Sequence, residues 1–266
     1  MSGEQPQPVV TQGELWSARA RDWAELQEPQ HRPKYDDAVQ RISVGPGVAL
    51  LDLGCGAGTF CRMAASAGAS VTGIDSAPAM IEIARELVPE GRFDVGDIRR
   101  LPYPDAGFDR VTAFNSLQFL PDPAVALTEV FRVSTSGALV YVLVWGRPEH
   151  TDLVAMMHAL HPLLPPRPAG SGGPFALTPP GILEQLLADG GFTVTDAGYL
   201  TMPYEYLDEA TMLRAQCSSG PAVLAARTAG EEKVRDALTA AIAQFRTRTG
   251  YRIDTEYRFV TASKTA

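Results

Sequence analysis

The chain has 266 residues and a formal net charge of −8. So acidic a balance does not draw polyanions, which argues against nucleic acid as a partner, and no apolar run approaches the roughly 18 residues a membrane span needs. With 45% hydrophobic and 20% charged residues, the length suits one large globular domain or one domain with insertions.

The N-terminus, MSGEQPQPVVTQGE, lacks the basic-then-apolar pattern of a signal peptide. With Cys55, Cys61 and Cys217 at no metal-ligand spacing, reduced thiols and a cytoplasmic location are expected. A helical segment or cap is expected over 1–46. Trp16 and Trp23 lie seven apart and share a helical face.

Residues 47–147 alternate strand and helix signals. ALLDL (49–53) is a short apolar run closed by Gly54, which reads as a buried strand. Phe60, Met63, Ala64 and Ala67 then mark one helical face. SVTGID (70–75) is a second strand. Ser76 is expected to cap the next helix, with Pro78 in its first turn. RFDVGD (92–97) and FDRVTAFN (108–115) follow as strands, then a helix from about 122 to 132, then the apolar strand ALVYVLVW (138–145). This alternation predicts a mostly parallel sheet with helices on both faces.

The second half is less regular. Residues 161–180 hold seven prolines and three glycines, so 148–178 reads as an irregular insertion. A core helix and strand are expected over 179–206, a helical insertion or cap over 207–250, and the last core strand over 251–266. The helices of 207–250 either form a satellite layer or cap a ligand site.

The glycines raise a chemical question. The stretch LLDLGCGAGTF carries Gly54, Gly56 and Gly58, with Thr59 where a dinucleotide loop has its third small residue. Asp52, at the mouth of this loop, would repel a diphosphate and favour a cationic, phosphate-free ligand such as S-adenosylmethionine. Asp75 closes the second strand 21 residues after Gly54, the spacing of an acid that accepts from ribose hydroxyls. Asp97 closes the third strand, where a carboxylate can meet an adenine amino group and the next amide a ring nitrogen. Three carboxylates would thus form one negative rim. Asp52 and Asp75 also have purely structural readings, as a partner of nearby backbone amides and as a helix cap.

Taken together, LLDLGCGAG, GIDSAPAMIEIAR, VGDIRRLPYPDAGFDRV and FNSLQFLPDPAVALTEVFRV closely resemble class I S-adenosylmethionine-dependent methyltransferases. The nearest group includes the ubiquinone/menaquinone-biosynthesis enzymes and many small-molecule methyltransferases of bacterial secondary metabolism. The resemblance covers about residues 47–146. It implies a Rossmann-like seven-stranded sheet in the order 3-2-1-4-5-7-6, mostly parallel with an antiparallel last strand. It also implies S-adenosyl-L-methionine as cofactor, with Asp52, Gly54, Gly56, Asp75, Ser76, Met80, Asp97, Ile98 and Asn115 on the cofactor side. The family often has a P-G-G turn before the fifth strand. Here Ser134–Gly137 reads STSG, so a turn of different detail is expected.

The acceptor side is less marked. His31 is a candidate general base, or else a surface or helix-end histidine. Trp23, Tyr204 and Tyr206 are candidates for the acceptor pocket, or else packing residues. No cluster has metal-ligand spacing, so no metal is assigned. The expected partner is a small-molecule acceptor, and the N-terminal segment and 147–178 are expected to close over the cofactor. Two alternatives remain: a protein that binds S-adenosylmethionine without transferring its methyl group, such as a cyclase or accessory subunit, and a NAD(P)-dependent oxidoreductase.

Overall fold

A computed structural model describes residues 11–166 and 173–265. Seven strands form one sheet in the order β3-β2-β1-β4-β5-β7-β6. They are β1 Ala49–Leu53, β2 Ser70–Asp75, β3 Arg92–Val95, β4 Phe108–Phe114, β5 Ser134–Trp145, β6 Thr193–Tyr206 and β7 Tyr251–Ser263. Strands β1 to β5 pair in parallel, and β7 runs antiparallel to both β5 and β6. The order reverses between β1 and β4. That switch point opens a crevice at the strands' carboxyl ends, the place where open α/β sheets bind ligands.

The helices are α1 Gln12–Ser17, α2 Ala20–Asp22, α3 Arg32–Arg41, α4 Thr59–Ser66, α5 Pro78–Leu87, α6 Pro123–Val133, α7 Val154–Leu160, α8 Ile182–Asp189, α9 Glu209–Cys217, α10 Gly220–Ala229 and α11 Glu231–Ile242. Apolar residues of α3, α4 and α5 bury one face of the sheet, including Ala38, Phe60, Ile81 and Ala84. Those of α6 and α8, such as Val130 and Leu187, bury the other. Among the described residues, no helix is long and apolar enough to cross a membrane.

Several sequence expectations are revised. Ser76 does not cap α5. The cap position is Ala77, whose amide is taken by the Asp75 carboxylate, leaving the Ser76 side chain exposed. STSG is not a turn ahead of β5. Its residues belong to the strand, and Gly137, at φ +78°, lies within a register shift against β4, between Ser134 and Leu139. The stretch 148–178 contains α7, which packs against α10 and α11. Residues 167–172 of that stretch, and 1–10 of the N-terminal segment, lie outside the described residues.

Candidate active site

The loop after β1 is built by backbone conformation. Gly54, Gly56 and Gly58 have φ of +73°, +55° and +85°, a region in which side chains are strained. Gly54 also meets the far wall of the crevice, because a Cβ there would stand 2.5 Å from Ser116 Cβ. Asp75, at the end of β2, fixes this loop from the side. Its Oδ2 accepts from the Gly56 amide and its Oδ1 from the Ala77 amide, each at 2.9 Å. Burial raises its pKa, opposed by those amides.

Asp52 does not stand on the rim as the sequence suggests. It is 2% exposed, and Thr112 Oγ1 donates to its Oδ1 at 2.8 Å. The Cys61 thiol approaches its Oδ2 at 3.8 Å. The physical reason is position. Asp52 lies inside β1, paired on both sides, so its side chain points into the helix layer. Asp97 is exposed and binds Arg99 through both oxygens, which lowers its pKa, while Ile98 is buried beside it. The expected rim therefore reduces to Asp75 and a neutralised Asp97.

Burial pushes the pKa of Asp52 up to about 7, with the Thr112 hydrogen bond opposing and the Glu28 and Asp75 charges adding. Its native carboxyl thus keeps a proton that the unfolded chain releases near pH 4. Asp52 therefore favours the fold fully below its unfolded pKa, and that contribution is lost as pH rises through about 7. Asp52→Asn cannot titrate and can still accept from Thr112. Relative to wild type, it should gain on the order of 2 kcal/mol in urea unfolding between pH 5 and pH 8. A difference that stays constant with pH would refute this.

At the end of β4, Asn115 has φ +54°. Its Nδ2, Ser116 Oγ and both amide atoms of Gln118 are buried without a partner. Across the crevice, α3 contributes Lys34, 2% exposed, whose Nζ donates to Asn115 Oδ1 at 3.2 Å and lies 4.5 Å over the Tyr257 ring. Burial lowers its pKa to about 7 against the charges of Glu28 and Asp52. Glu28 is equally buried, and its carboxylate accepts from the Ala57 amide at 2.7 Å and the Thr59 amide at 3.3 Å.

His31 is buried among rings, with Trp23 at 5.7 Å, Tyr204 at 5.6 Å and Tyr35 at 6.0 Å between centroids. Burial, then the Lys34 charge, holds its pKa well below the ordinary histidine value. Tyr204 bonds Tyr257 through their hydroxyls, and Tyr206 donates to Gln27 Oε1 at 2.9 Å. The structure thus brings His31, Trp23 and Tyr204 together, while Tyr206 is committed to Gln27. Met80 is buried in a small cluster with Ala57 and Ala77.

Do these residues fit an adenosine-bearing cation? The loop's amides bind carboxylates, and no basic side chain is bonded to them among the described residues. Asp75 keeps unused lone pairs beside the loop, and unpartnered polar atoms line the opposite wall. That donor and acceptor set fits a phosphate-free nucleoside better than a diphosphate.

Comparison with known proteins agrees. Residues 51–142 match the family model described as a methyltransferase domain. They form a class I S-adenosylmethionine-dependent methyltransferase domain. Relatives of this domain include a malonyl-[acyl-carrier protein] O-methyltransferase of Serratia marcescens, 39% identical over 95 residues, 36% of this chain and 37% of that one. A demethylmenaquinone methyltransferase of Renibacterium salmoninarum is 29% identical over 143 residues, 54% and 56% of the two chains. The chain spans between about a third and just over half of the length of the curated relatives it matches first. Among solved structures, the YcgJ protein of Bacillus subtilis has a TM-score of 0.61 at 17% identity, covering 89% of this chain and 100% of its own. The [4+2]-cyclase SpnF has 0.58 at 22%, covering 88% and 80%. These two likenesses are of fold.

Sequence reasoning missed Glu28, Lys34, Tyr35 and Tyr257 around the methyltransferase domain. QEPQHRPKY reads as a polar, Pro-broken stretch, and nothing in it shows that its charges turn inward. TEYRF alternates Tyr257 and Phe259 with charged residues, but that pattern does not tell which face meets α3.

Proposed function

We propose that the protein binds S-adenosylmethionine in the β1/β4 crevice and transfers its methyl group to a small-molecule acceptor. The observation that carries this reading is the side-chain-free glycine loop braced by Asp75, inside a domain of the methyltransferase family. S-adenosylmethionine supplies, when bound, a methyl carbon already activated by its sulfonium. The residues then have to bind, orient and exclude water. Holding an acceptor atom in line can supply about 7–11 kcal/mol of barrier reduction.

In this reading Gly54 and Gly56 allow close backbone approach, and Asp75 accepts from two ribose hydroxyls. Asp97 and the Ile98 amide meet the adenine edge, and Met80 packs on the adenosine. Asn115 offers its unpartnered Nδ2 at the far wall. Trp23, Tyr204 and His31 line the acceptor side. His31, held neutral by burial, carries no second ring proton but is for the same reason a weakened base, so it serves an acceptor whose own proton is acidic. The N-terminal segment excludes water from above.

A ligand at 100 times its dissociation constant adds about 2.7 kcal/mol of stability. For a chain of this size that raises Tm by roughly 5–11 °C. S-adenosylhomocysteine should produce such a shift, whereas NAD, NADP and ATP should not. Incubation with methyl-labelled cofactor and a panel of oxygen, nitrogen and carbon acceptors then separates transfer from binding alone. A shift with NADH and none with S-adenosylhomocysteine would remove the reading.

A further inference from the structure

Two buried charges of the N-terminal segment flank the crevice. Glu28 holds the Ala57 and Thr59 amides on the β1 side. Six residues on, Lys34 holds Asn115 on the β4 side. Ahead of Glu28, Trp16 of α1, Ala20 and Trp23 pack against Ala57, Ala77 and Met80. Trp16 and Trp23 brace each other edge to face at 4.8 Å. Contact is close throughout: a Cβ on Gly13 would stand 2.1 Å from the Ser76 carbonyl oxygen, and one on Gly56 would stand 2.5 Å from Glu28 Oε1. From outside, Gln27 donates to the Ala215 carbonyl and Arg214 pairs with Asp22, so α9 presses the segment inward.

These are the surfaces the cofactor reading requires: the loop, the turn after Asp75, and Met80. We propose that Glu28 is an autoinhibitory latch on the glycine loop, whose carboxylate the cofactor must displace in order to bind, with the strap of residues 12–35 opening for entry and returning over the bound cofactor. The inference rests on the cofactor reading given above. The latch is built to yield. The Glu28 carboxylate is desolvated and faces the like charge of Asp75, and both weaken it, while the Ala57 and Thr59 amides and the Lys34 charge hold it. A contact of this kind taxes ligand affinity by the fraction of molecules in which it is closed.

The test uses the full chain with Glu28→Ala and Glu28→Gln. Deuterium exchange of residues 12–35 is followed without ligand, and S-adenosylhomocysteine binding is followed by calorimetry. In Glu28→Ala, exchange should quicken by about tenfold or more, and the dissociation constant should fall about three- to tenfold. Glu28→Gln, which keeps the shape and an acceptor oxygen, should lie between. Unchanged exchange would overturn the latch. Faster exchange with weaker binding would overturn it too, since Glu28 would then serve the cofactor. Faster exchange with no binding by either wild type or variant would mean that the cofactor reading itself had failed, and the competition with it.

Discussion

Replacing Asp75 by alanine should raise the dissociation constant for S-adenosylhomocysteine by about 10- to 150-fold. The charged hydrogen bonds lost contribute about 1.5–3 kcal/mol together, and that range converts to this factor. Asp75 suits the role because its two oxygens are already oriented by the Gly56 and Ala77 amides. Each oxygen has a second lone pair, so a ribose diol meets a carboxylate that has no rotamer left to fix. The same bonds mean that the alanine variant also loosens the loop, and this must be separated from the ribose contact. A 2′-deoxy analogue of the ligand does so. Wild type should bind the analogue more weakly than the parent, and Asp75→Ala should bind the two alike. If the variant discriminates the analogue as wild type does, Asp75 braces the loop and does not hold the ribose.

The parts of this site that could be read from sequence are those fixed by backbone periodicity. β1, β2 and β4 announce themselves as apolar runs closed by Gly54, Asp75 and Asn115. Because strands end where their runs end, the carboxyl rim of the sheet could be drawn before any coordinate. Even so, alternation along a strand failed at Asp52. A parallel strand is buried on both faces, so its pattern does not say which way a lone polar residue points, and Thr112 on the neighbouring strand decided it. Glu28 and Lys34 were hidden for a different reason. Their burial depends on α9 and β7, more than 180 and 220 residues away, closing over a polar stretch that alone reads as solvated. Ser76 illustrates a third limit. A serine before proline signals a cap, but the preceding aspartate reached the amide first.

Gly54→Ala should cost about 2–4 kcal/mol of unfolding free energy, because two penalties fall on one methyl group. The left-handed φ of +73° costs an L-residue about 1–2 kcal/mol, and an overpacked contact costs about 1–3 kcal/mol. The contact is with Ser116, 2.5 Å from the new Cβ, on the opposite wall of the crevice. The alanine therefore acts as a wedge between the ends of β1 and β4. Gly181→Ala separates the two penalties. That residue has φ +88° and nothing within 4 Å of an added Cβ, so it should show the backbone penalty alone. Ser116→Gly in the Gly54→Ala background removes the atom that is struck. A double-mutant cycle should then return a favourable coupling of about 1–3 kcal/mol, with cofactor affinity recovering alongside stability. Urea midpoints give the first quantity and calorimetry the second. A coupling near zero would mean that the crevice yields freely at Gly54 and that its width is set elsewhere.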